Sequence, residues 1–112
     1  MAGKIVAVLK QMTELLAAGQ YSEAELLCKG IRLNARDMEA VIKGYGKALV
    51  PPPPSAFDSM DIVEVRGSLP RRWSVTMPLW TQQEGCSDLS IEATVTEGRD
   101  GCTIELDDIR VL

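Results

Sequence analysis

Four consecutive prolines, Pro51-Pro52-Pro53-Pro54, constrain this chain more than any other feature. Proline lacks a backbone N–H and its ring holds φ at about −65°, so four in a row exclude a helix interior and a fully paired strand. The hydrophobic period changes across the run, from about 3.6 residues before it to two after it. A helical half and a sheet half are therefore expected, joined by a stiff extended spacer. At about 3.1 Å per residue the four prolines span about 12 Å, enough to pass from a helix layer to a sheet edge.

In the first half, Ile5, Leu9, Met12 and Leu16, widened by Val8 and Leu15, predict a helix over Gly3–Ala18, stopped by Gly19. Ser22 with Glu25 three residues on has the pattern of a capping box, with Tyr21 placed to staple onto Leu26. The second helix would then bury Leu27, Ile31 and Leu33. Asn34 is the expected cap of a third helix, with Asp37 in its first turn favoured by the helix dipole. Its apolar stripe is Met38, Val41, Ile42, Tyr45 and Leu49, weakened near the end by Gly44 and Gly46.

Beyond Met60 the pattern alternates. Val63 and Val65 are expected to face inward in a first strand over 62–66, followed by a turn at Gly67-Ser68-Leu69-Pro70. Trp73, Val75 and Met77 face inward in a second strand, which Pro78 either ends or marks as an edge. Leu89, Ile91, Ala93 and Val95 form a third, a glycine-bearing loop over 97–101 follows, and Cys102, Ile104 and Leu106 form a fourth. There the phase breaks: the inward residues are even-numbered up to Leu106, but Ile109 and Val111 are odd. A β-bulge at Asp107-Asp108 restores the alternation without burying an aspartate. The expected fold class is α+β, with three N-terminal helices packed on one face of a roughly four-stranded antiparallel sheet. It forms one domain over 1–112: a helical layer (1–50), a proline-rich connector (51–59) and the sheet (60–112).

The length of 112 residues fits one modest core, and no apolar run reaches the roughly 18 residues of a membrane span. The N-terminus reads as mature structure and not as a signal peptide. Charge is uneven. Residues 1–59 hold seven bases and six acids, net +1, whereas residues 60–112 hold five bases and ten acids, net −5. An acidic surface disfavours direct nucleic-acid binding and favours a basic partner, although it also serves solubility. Cys28, Cys86 and Cys102 are odd in number and far apart, which fits free thiols in a reducing cytoplasm. Cys86 falls in an expected loop with no neighbour that would activate it.

The chain has no histidine. This excludes Ser-His-Asp and Cys-His nucleophilic sites, and no C-x-x-C, phosphate-binding loop or EF-hand spacing is present. No metal and no cofactor are expected. The carboxylates remain: Glu84 and Asp88 flank a loop, and Glu92, Glu105, Asp107 and Asp108 lie on the late strands. A pair of them would support acid–base chemistry only if one were desolvated. As a charged surface they fit recognition better. Trp80, past Pro78 at a strand end, either plugs the rim of the core or is exposed as a binding anchor, a role in which tryptophan is enriched.

The segments Trp73-Ser74-Val75, Leu79-Trp80-Thr81, Glu84-Gly85-x-Ser87-Asp88-Leu89 and Asp107-Asp108-Ile109-Arg110-Val111-Leu112 resemble a family of small bacterial proteins of unassigned activity. The resemblance extends to Arg32-Leu33 and Tyr45-Gly46, and departs at Cys86, where the pattern has arginine. It implies no catalytic residues. By analogy with small acidic single-domain proteins that look like this one, it implies a cytoplasmic immunity protein that binds and neutralises a toxin domain. On that reading Trp80, Glu84, Asp88, Glu92, Glu105, Asp107 and Asp108 contact a basic protein surface, with no nucleic acid, membrane or metal involved. The alternatives are a self-associating scaffold and a small carboxylate-dependent hydrolase.

Overall fold

The computed structural model describes residues 2–112. Three helices, α1 (Ala2–Ala17), α2 (Tyr21–Cys28) and α3 (Ala35–Tyr45), precede five strands: β1 (Leu49–Val50), β2 (Asp61–Glu64), β3 (Arg72–Thr81), β4 (Gly85–Glu97) and β5 (Cys102–Val111). All strand pairs are antiparallel. β1 and β2 both pair with one edge of β3, β1 with its end and β2 with its beginning, so they form one edge strand in two pieces. β4 and β5 follow on the other side. The α+β arrangement expected from the period change is present, as helices against one face of a five-stranded sheet.

α1 buries Ile5, Val8, Leu9, Met12 and Leu16, the stripe that its period predicts. Gly19 turns left-handed (φ 72°), and its N–H and that of Gln20 bond to Leu16 O and Leu15 O, closing the helix. This tight closure corrects the Ser22 expectation. The chain re-enters a helix at once, the N-cap is Gln20 with no side-chain cap, and Ser22 lies inside α2. Leu26 is 78% exposed, so the staple does not form; of the expected core face Ile31 is 61% exposed, whereas Leu27 and Leu33 are half-buried and pack on the core. Ala24 and Cys28, one helical turn apart, are the buried residues of α2, and their small size lets it pack closely. Glu25 has a different role. Its Oε1 accepts from Ala35 N–H at 2.6 Å, while Asn34 and Asp37 form a reciprocal capping box, so three orphan donors at the start of α3 are satisfied. α3 buries Met38 and Ile42 and ends at Gly46 (φ 80°), so Leu49 leaves the helical stripe and pairs with Thr81 in β1.

The proline run is extended only at first. Pro53 (φ −67°, ψ 159°) is extended, and Pro54 opens a 3-10 turn over Pro54–Ser59 that buries Ala56 and Phe57. The connector thus contributes to the core as well as spanning a distance. β2 departs from expectation: all four of its residues are exposed, and Val63 (58%) and Val65 (42%) do not face inward. Ile62, opposite Val75, and Glu64, opposite Trp73, are the residues of that strand on the core side.

β3 and β4 alternate as their sequences require. Trp73, Val75, Met77 and Leu79 on β3, with Leu89, Ile91, Ala93 and Val95 on β4, join Ile104, Leu106 and Ile109 of β5 and the helix residues in one core. Val111 lies beyond it, 58% exposed. β3 continues past Pro78 to Thr81, and the ladder phase explains why proline is tolerated. Glu97 N–H donates to Arg71 O across β3–β4, and Val65 N–H donates to Arg72 O across β2–β3. Odd-numbered residues of β3 therefore turn their main chain towards β4, and even-numbered ones away from it. The N–H that Pro78 lacks would point into the gap between β2, whose pairing ends at Thr76, and β1, whose pairing begins at Trp80. On the other side Leu79 faces the three residues 87–89 in an enlarged bulge. Buried Ser87 Oγ stitches this irregularity, donating to Leu79 O (2.7 Å) and accepting from Leu89 N–H (3.2 Å).

Candidate functional site: the outer face of the sheet

Directly paired residues of antiparallel strands lie on the same face, so the register reads out the face that the helices leave uncovered. One row runs Val63, Ser74, Thr94, Glu105. The next runs Asp61, Thr76, Glu92, Asp108, and a third Pro78, Ser90, Arg110. Three strands thus contribute an acid to the middle row, with Glu105 beside it on β5. Arg110 is the one base in these three rows. Asp61 was not among the residues singled out from the sequence, because only the register of β2 reveals that it joins Glu92 and Asp108.

The predicted bulge is present. Ala93 pairs with Leu106 and Glu92 with Asp108, which leaves Asp107 as the extra residue. Its carboxylate is turned towards the molecule itself: Oδ2 accepts from Thr94 Oγ1 at 2.7 Å, and Oδ1 lies 3.9 Å from Arg32 Nε, reached from the loop after α2. The Arg32 ion pair connects the helix layer to the β5 edge. Asp108, one residue on, uses Oδ1 to accept from Ile109 N–H, while Oδ2 lies 3.9 Å from Arg110. Arg110 binds Glu92 through two contacts, at 2.8 and 3.3 Å. The guanidinium pKa is raised by that hydrogen bond and by the charges of Glu92 and Asp108.

Glu84 is also engaged internally. It sits in the turn between β3 and β4, where Tyr45 O–H donates to its carboxylate (2.8 Å to Oε1) and Thr81 Oγ1 bonds both its side chain and its N–H. Gln83 accepts from Ala48 N–H and Gln82 N–H donates to Ala48 O, so the whole turn is fastened to the segment between α3 and β1. Desolvation first, then the bond to Glu84, raises the Tyr45 pKa. Gly85 closes this turn with φ 75°, a conformation that disfavours any side chain, and the Trp80 ring rests against it. Trp80 itself is half-buried and packs on the core, so it is a rim plug with one accessible edge.

The seven candidate residues therefore separate. Glu84 and Asp107 hold the molecule together, Trp80 seals the rim, and Glu92 is paired with Arg110. No side-chain hydrogen bond or ion pair engages the carboxylates of Asp88 or Glu105 among the described residues, and Asp108 is held only loosely. With Asp61, these are the acids left to the outer face. The three thiols are in no disulfide: Cys28 is buried in the core, Cys86 is exposed beside Trp80, and burial raises the pKa of half-buried Cys102. Among the described residues no group of three or more potential metal ligands occurs, and no helix is long and apolar enough to cross a membrane. Cavities of about 330, 280 and 350 Å³ lie against the helices, and none of the three is lined by Glu84 or Asp107.

The family model described as "Domain of unknown function (DUF7668)" matches residues 13–112, and the chain belongs to that family. The match runs from the last third of α1 through residue 112 and so includes the whole sheet. No curated protein and no solved structure matches the chain.

Proposed function

We propose that this chain is a bacterial immunity protein, acting in the cytoplasm, which binds a cognate toxin domain through its outer sheet face and thereby neutralises it. The observation that carries the reading is the middle row of that face, where β2, β4 and β5 each supply an acid (Asp61, Glu92, Asp108) and Glu105 lies beside them. A toxin that acts on nucleic acid needs a basic cleft for phosphate, and an anionic face of fixed shape competes for that cleft. Charge of this kind speeds encounter, while the edge of Trp80 and the exposed Val63 supply apolar contact near the same rows. The chain transforms nothing on this account. A rigid sheet suits the role, because side chains fixed by strand pairing lose little freedom on binding.

Co-purification of the chain with the product of the toxin gene beside its own tests the reading. The complex is expected to form and to weaken at least tenfold between low and physiological salt, because the contact is between charges. The double variant Glu105→Lys/Asp108→Lys should remain folded and fail to protect cells. A neighbouring product that neither binds nor harms cells, or protection unchanged by the double variant, would remove the basis for the proposal.

A further inference from the structure

The two edges of the sheet are finished differently. The β5 edge is interrupted by the bulge at Asp107 and clasped by Arg32. β2 has neither device: it contains no proline, lysine or bulge, and all four of its residues are exposed. The ladder phase shows what this edge offers. Val65 N–H bonds to Arg72 O, and by alternation the main chains of Val63 and Asp61 also turn towards β3. The N–H and C=O of Ile62 and Glu64 therefore point away from the sheet. Such an edge is a template for one more strand.

Charge decides what kind of strand fits. Glu64 is already matched, with Arg71 bidentate on it at 2.8 and 2.9 Å and the same guanidinium 5.0 Å above the Trp73 ring. Asp61 has no ion pair among the described residues and ends the row that continues through Thr76, Glu92 and Asp108. We propose that the β2 edge receives an extended segment of a partner protein as a sixth strand, hydrogen-bonded to Ile62 and Glu64. On the outer face it would place a basic side chain opposite Asp61 and apolar side chains opposite Val63 and Val65. The added strand extends the acidic row by a matching cation and covers two exposed valines. The inference rests on the reading of this surface as one that binds a basic protein, and adds the element by which that protein is held.

A synthetic peptide of alternating pattern, lysine–threonine–valine–threonine–valine, serves as the probe, with glutamate replacing lysine in the control. The lysine peptide should slow amide exchange at Ile62 and Glu64, and the control should not. Ile62→Pro removes an outward N–H without touching the β2–β3 ladder, so the fold should survive while peptide affinity falls about tenfold. Asp61→Lys, at an exposed position, should reverse the preference between the two peptides. Unchanged exchange at Ile62 and Glu64, or equal binding of both peptides to wild type, would overturn the inference. Loss of toxin binding in Glu105→Lys/Asp108→Lys but not in Ile62→Pro would refute the edge and leave the face intact.

Discussion

The two faces of the sheet are built from the same strands and differ in every physical respect. On the inner face Val75, Met77, Ile91 and Val95 have no accessible surface, and each is held from several sides by strand and helix neighbours. On the outer face of those strands stand Ser74, Thr76, Thr94 and Thr96 with the acids of the middle row, and no helix covers them. Since side chains alternate strictly along a strand, neither set can be altered without passing over the other, yet each residue belongs to one set only. The division separates two duties. Odd positions of β3 and β4 build the core, and of the even positions those other than Trp80, Ser90 and Thr94 are open to determine what the chain meets.

The comparison can be tested by mutation, and the largest effect should come from the inner face. Met77→Ala leaves a cavity under β3 and should cost about 2–5 kcal/mol by denaturant unfolding. A smaller loss, of about 1 kcal/mol, is expected from Glu25→Ala, which strips the start of α3 of the acceptor for Ala35 N–H. Thr94→Val should cost a similar amount, about 1 kcal/mol, since it removes the donor to Asp107 at the bulge. If Thr94→Val were silent, the bulge would be held by the backbone and the Arg32 ion pair without that hydrogen bond.

A pH titration sharpens the boundary between the layers. The Tyr45 pKa is raised in the folded state, so the stability linked to it is present below the ordinary tyrosine value and is lost as pH rises through the folded one. By ultraviolet absorbance Tyr45 should ionise above the ordinary tyrosine value, and Glu84→Gln should lower its pKa. The smallest effect belongs to the outer face: Asp108→Lys should change stability by no more than about 0.5 kcal/mol. A large destabilisation there would mean that the acidic row contributes to the fold, against the division of duties.

How much of this was legible in the sequence depends on whether a residue's role was local. The alternation of β3 to β5 and the bulge at Asp107 follow from counting, because a period of two admits no other inward set. The Asn34 cap and the Gly19 stop are short-range chemistry and stood where expected. The failures are tertiary. Ser22-x-x-Glu25 has the form of a capping box, but the closure at Gly19 starts the helix earlier and frees Glu25 to cap α3, ten residues on. Leu49 fits a helical stripe and pairs as a strand because Gly46 ends α3 first. Val63 and Val65 look like core residues, yet the register of β2 sets them opposite Ser74 and Arg72, on the outer face. Of the candidate site, Asp108, Glu92 and Glu105 share one surface as their strand positions suggest. Asp61 joined only through register. Glu84 resembled a loop charge until Tyr45, 39 residues away, was placed on it.

The most direct test of the whole account is the affinity of the cognate toxin domain for the wild-type chain and for Glu105→Lys/Asp108→Lys, by calorimetry across a salt series. The account predicts tight binding that weakens steeply with salt for the wild type, and a loss of about a hundredfold or more in the variant at unchanged thermal stability. Equal affinities with a flat salt dependence would show that recognition lies elsewhere on the molecule and that the acids of the outer face serve solubility.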